Sequence, residues 1–159
     1  MAIGNTTVPF ALAVCLLAQP VSAQTIDRPS LSLDGARKLI AAAEHEAERI
    51  GAPGVIAVVD GEGQLIALER MDNAPMLASI PIAMGKARSA ALYGKPTKDL
   101  EDAINGGRAA ALSVPDMVQM QGGLPARVNG KLVGAIGVSA DNKDHDQAIA
   151  TAAIETLQK

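Results

Sequence analysis

The chain has 159 residues, a formal net charge of −3 at neutral pH, one cysteine, and aromatic side chains at only 1% of positions. With no basic run and almost nothing on which a base could stack, nucleic acid is not an expected partner. A lone thiol makes neither an intrachain disulfide nor a thiolate metal cluster, so packing of Ala, Val, Ile, Leu and Met has to hold the fold.

Val8 to Ala18 is apolar but too short to span a bilayer. Val21-Ser22-Ala23 then presents small residues where signal peptidase reads. Residues 1–23 are therefore expected to be a signal peptide cleaved after Ala23. Cleavage removes Phe10 and Cys15 and leaves one domain, residues 24–159, that is periplasmic or secreted and free of the membrane. Tyr93 is its only aromatic residue, with Met71, Met76, Met84, Met117 and Met120 to fill gaps.

Ser32 suits the cap of a helix over about Leu33–Ile50, with Gly51 as its stop. Ala36, Leu39, Ile40, Ala43, Ala47 and Ile50 share one face of that helix. Val55–Asp60 is a β-branched, apolar run. Asp60-Gly61-Glu62-Gly63 makes a turn, and Leu65–Met71 a second strand. After a loop at Ala74–Ser79, a second helix is expected over about Pro81–Tyr93, ended by Gly94. Proline in a first helical turn costs no hydrogen bond. Thr97 is expected to cap a short helix to about Asn105, broken by Gly106 and Gly107. Ala109–Met120 is read as a helical turn or loop followed by a short strand at Met117–Met120. Asn129-Gly130 joins two further strands as a tight hairpin. The second of these carries Gly134 and Gly137, and glycines inside a strand imply close approach by a helix, a ligand or a neighbouring subunit. Asp141 or Asn142 caps a last helix to about Leu157. Short hairpins in place of long crossovers imply an antiparallel α+β fold.

Three groups of residues together carry a resemblance. They are Val55–Asp60 with Gly63 and Arg70-Met71-Asp72; Gly85-Lys86-Ala87-Arg88-Ser89-Ala90-Ala91; and Gly122-Gly123-Leu124-Pro125 with Gly134-Ala135-Ile136-Gly137-Val138-Ser139, followed by Asp146. In this order they resemble the GlcG/HbpS-like family, also called the haem-degrading domain, over essentially all of residues 24–159. Ser89 stands where the family pattern usually has Thr, and Ala140 where it usually has Gly. The resemblance implies a profilin-like or PAS-like fold, an antiparallel sheet of about five strands flanked by helices. It also implies homo-oligomers from dimers to octamers, with haem as the cofactor of some members.

Several side chains are candidates for chemistry. Lys86, Ser89 and Tyr93 lie at steps of three and four on the second helix and share a face. They offer a cation, a hydroxyl and a phenol to a carboxylate, a haem propionate or the iron itself; otherwise Lys86 is solvated and Tyr93 covers the helix end. The resemblance favours a functional role at Ser89. His45 is out of phase with the apolar stripe of its helix. It is either solvated among Glu44, Glu46 and Glu48, or an interface residue that ligates haem iron from a second subunit. His145, with Asp141, Asp144 and Asp146, offers a weak divalent-cation site, or else these residues simply cap a helix whose dipole favours acids there. The expected ligand site lies beside the second helix, under the strand that carries Gly134 and Gly137.

The function expected is therefore an exported, oligomeric haem-binding protein, with weak haem degradation as an additional activity. The alternatives are an enzyme acting on a small organic acid, or a non-catalytic sensory or accessory module of the same fold. No arrangement of residues in the sequence demands catalysis.

Overall fold

The computed structural model describes Gln24 and residues 26–158; the expected leader over 1–23 lies outside the described residues. Helix α1 (Leu33–Ile50) begins where Ser32 Oγ accepts the Gly35 N–H at 3.1 Å and ends on Gly51, whose φ of 70° is left-handed. Its apolar stripe is buried at Ala36, Leu39, Ile40, Ala43 and Ala47. Strands β1 (Val55–Asp60) and β2 (Leu65–Arg70) form a hairpin. The Asp60 carboxylate organises its turn by accepting the N–H groups of Glu62 and Gln64, both at 2.9 Å.

Helix α2 (Ser79–Tyr93) starts two residues before the expected Pro81 and stops at Gly94. Helix α3 (Thr97–Asn105) has Pro96, not Thr97, at its cap position. The Thr97 hydroxyl instead crosses to the start of β3, accepting the Gly123 N–H at 2.7 Å. A 3₁₀ turn at Ala109–Ser113 precedes β3 (Gly123–Val128) and β4 (Lys131–Ser139). Asn129 and Gly130 both take positive φ, 51° and 75°, which a two-residue turn matched to the strand twist requires. Asn142 caps α4 (Lys143–Glu155), accepting the N–H groups of Asp144 and His145 at 3.0 Å.

The strands form one antiparallel sheet in the order β2-β1-β4-β3. The α+β architecture is as expected, with four strands among the described residues against the about five expected. Residues 117–120 join no ladder, and side-chain contacts tie this stretch and the residue after it to α3 and the 3₁₀ turn instead. Gln119 Nε2 donates to Ala111 O at 2.8 Å, and the Gln121 N–H donates to the Glu101 carboxylate at 2.5 Å. Pro125 also suits β3 to an edge position, since proline has no N–H to give a further ladder.

Period-two alternation divides the two central strands between two cores. Ile56, Val58, Ile136 and Val138 pack under α1 and α4 with Leu39, Ile40 and Ile149. Val55, Ala57, Val59 and Ala135 face α2 and meet Ala83, Ala87, Ala90 and Ala91. The second core is built almost entirely from small side chains, so the backbone of α2 lies close to the sheet.

Candidate functional site

That close seating explains Gly137. A Cβ there would collide with the Ala83 carbonyl and the Ala87 N–H of α2, so the glycine exists to admit a helix. Gly134 and Gly137 are three residues apart on one strand, so they point to opposite faces of the sheet. Gly134 lies against the Val59 carbonyl and Leu31, on the side away from α2. The two glycines therefore do not form one flat surface, and the expected ligand platform under β4 is already filled by protein.

Lys86 is also turned inward. Its side chain is 1% exposed, and its Nζ donates to Asp146 Oδ2 at 2.6 Å and to Val138 O at 3.0 Å. The other Asp146 oxygen accepts the Ala140 N–H at 2.6 Å, fixing the turn into α4. Burial pushes the Asp146 carboxyl up from the ordinary carboxylate range, while the Lys86 ammonium opposes that shift. Gly122 and Gly123 pass beside this pair. A Cβ on Gly122 would lie 2.6 Å from Asp146 Cβ, and one on Gly123 would lie 2.6 Å from Lys86 O. Lys86 thus ties α2, β4 and α4 together and is not a free cation for a ligand.

The remaining sequence candidates are dispersed. Ser89 is fully buried, its Oγ donating to Met117 Sδ at 3.6 Å. Tyr93 is partly exposed and lines a different cleft, with Lys95, Leu100 and Arg108. His45 is exposed on α1, across the sheet from α2, so one chain does not bring it to Ser89. His145 Nδ1 lies 2.7 Å from Asp141 Oδ1 and 2.9 Å from Asn142 Nδ2, an arrangement that serves the start of α4 and holds the Asp141 carboxyl below its usual range. Asp146 points inside to Lys86. Among the described residues no group of three such ligands converges on a metal position.

What α2 does present outward is a cleft of about 540 Å³, formed with the β1–β2 turn and residues 116–118. Ile80, Met84 and Arg88 line it from the helix, Gly63 and Leu65 from the hairpin, and Met117 and Val118 from the opposite side. Gly85 lets the two walls meet, since a Cβ there would overlap the Val118 side chain. Gly63, at φ 79°, brings its turn down onto the Arg88 stem. The lining is apolar except at a few points, the chemistry of a small-molecule site. Arg88 and Asp116 supply its charges, and Asp116 is held at the uncommon φ of 58°. No motif in the sequence marks this constellation. The signal was present in the four-residue spacing of Ile80, Met84, Arg88 and Leu92, but that spacing does not say which face of a helix is left uncovered.

A family model described as haem degrading protein HbpS-like matches residues 31–155. Protein GlcG of Escherichia coli is 41% identical over 109 residues, spanning 69% of this chain and 81% of that protein. A crystal structure of a double mutant of Streptomyces reticuli HbpS superposes with a TM-score of 0.78 at 28% identity, covering 96% of this chain and 99% of that one. A crystal structure of a PduOC–heme complex superposes with a TM-score of 0.71 at 30% identity, covering 79% of this chain and 94% of that one.

Proposed function

The chain belongs to the HbpS-like family, and on that footing we propose that it is a haem-binding protein whose porphyrin lies in the cleft on the outer side of α2. The observation that carries the reading is the cleft itself: about 540 Å³, walled by Ile80, Met84, Leu65, Met117 and Val118, with the Arg88 guanidinium and the Asp116 carboxylate among the apolar groups. An apolar macrocycle bearing carboxylates matches that mixture. The haem complex of PduOC, a chain of similar fold, supports the choice of ligand. The inward-turned Lys86 and the covered Gly137 argue against a site under β4. Assembly into homo-oligomers and export after removal of residues 1–23 belong to the same proposal. Weak haem degradation is an additional activity within the same proposal.

Titration of the purified protein with haemin should develop a Soret band that saturates with protein concentration. Met84→Trp fills the cleft from a half-exposed position outside both cores, so the fold should survive. Its haemin affinity should fall by about tenfold or more, the loss expected when bulk occupies a preformed pocket. The absence of a saturable band would overturn the haem reading; an unaltered titration in the Trp variant would move the site elsewhere.

A further inference from the structure

We propose that Arg88 is a positioning residue that anchors the carboxylate of the ligand in this cleft, an inference that rests on the haem reading and assigns it an orientation. Arg88 emerges from α2 between two apolar walls, its aliphatic stem pressed beneath Gly63. Its Nε is buried and has no hydrogen-bond partner among the described residues. Its Nη1 has only a long contact of 3.5 Å to Gly63 O. No acidic side chain among the described residues forms an ion pair with it, although Asp116 lines the same cleft.

This is an unusual state for a guanidinium. Buried donors are nearly always satisfied, and a donor on a charged group loses more than a neutral one when left unpaired. Lys86, the fully buried cation two residues away, shows the ordinary solution, with a carboxylate and a carbonyl both in contact. The Arg88 side chain instead borders an open, apolar volume with no acidic partner for its Nη groups among the described residues, while Nε is closed off behind them. The group that completes them has to be an anion with an acceptor pair in one plane, for which the guanidinium fork is shaped. A carboxylate carried on an apolar ring system satisfies both the charge and the walls. The porphyrin is thereby oriented with a propionate toward Arg88 and its apolar edge toward Ile80 and Leu65.

The test compares haemin with haemin dimethyl ester, in which the propionates are blocked, on wild-type protein and on Arg88→Met and Arg88→Lys. Wild type should bind haemin about tenfold more tightly than the ester, the scale of one charge-assisted pair. Arg88→Met should lose that preference while binding the ester as wild type does. Arg88→Lys should keep part of it, as a point charge without the fork. Thermal unfolding of Arg88→Met should match or exceed wild type, since an unsatisfied donor is removed; if that variant fails to fold, the ester comparison on wild type and Arg88→Lys decides. Equal affinity of wild type for haemin and ester, or a preference that survives in Arg88→Met, would overturn the anchor and leave the haem reading standing. Failure of both porphyrins to bind wild type would overturn both.

Discussion

Lys86 and Arg88 are two residues apart on one helix, and their surroundings give them opposite tasks. Lys86 is enclosed by β4 and α4, and its charge is neutralised at 2.6 Å by Asp146. Removing one member of such a pair leaves an uncompensated charge in a low-dielectric interior. We expect Lys86→Met to lose about 3–5 kcal/mol in urea unfolding, as broken buried pairs do. The double variant Lys86→Met with Asp146→Asn should recover part of that loss, because the amide oxygen still accepts the Ala140 N–H and no charge remains buried. A Lys86→Met variant within about 0.5 kcal/mol of wild type, the range of a bland surface change, would deny Lys86 its structural role.

At the scale of elements, the contact that positions the cleft is α2 on β4. It is made by backbone against backbone, through Ala83, Ala87 and Gly137, with few side-chain atoms able to yield. A methyl group at Gly137 therefore lifts the helix or displaces the strand. Gly137→Ala should destabilise the protein by about 1–3 kcal/mol or more, the usual cost of overpacking. Gly61→Ala is the control. Its Cβ would meet nothing closer than 3.9 Å, and its effect should stay within about 0.5 kcal/mol. Comparison of the two urea midpoints checks this, and equal midpoints would mean that α2 is not seated as described. Any loss of ligand in a Gly137 variant is then a consequence of moving α2, not of filling a pocket.

The molecule as a whole leaves one surface unusually apolar. Leu77, just before α2, is 98% exposed, and Ile80, Met84 and Leu92 are exposed on the helix itself. Contiguous apolar area of this kind marks an interaction surface. The oligomer expected from the small, alanine-rich core would cover it and close the cleft from outside. Light scattering at micromolar concentration should give at least a dimer. Leu77→Glu should shift the population toward monomer without changing the fold, since Leu77 packs on almost nothing among the described residues. A monodisperse wild-type monomer would count against the assembly.

Several local features were legible in the residues alone. Ser32 and Gly51 bound α1, Asn129-Gly130 closes the last hairpin, and β1 occupies Val55–Asp60 as read. Each depends on neighbours within a few positions: a cap, a positive φ, a two-residue period. The resemblance of the glycine-bearing segments likewise pointed to the right family. The tertiary structure alone decided what those glycines and charges face. Helical spacing placed Lys86, Ser89 and Tyr93 on one side of α2 without saying that β4 and α4 would enclose Lys86 while Ser89 is buried against Met117. Strand alternation implied that Gly134 and Gly137 diverge, but which of them meets a helix depended on which layer packs on which face. Arg88 gained its importance only when the β1–β2 turn and residues 116–118 closed around it. Capping and turn chemistry are encoded locally, whereas burial is a property of the whole packed chain.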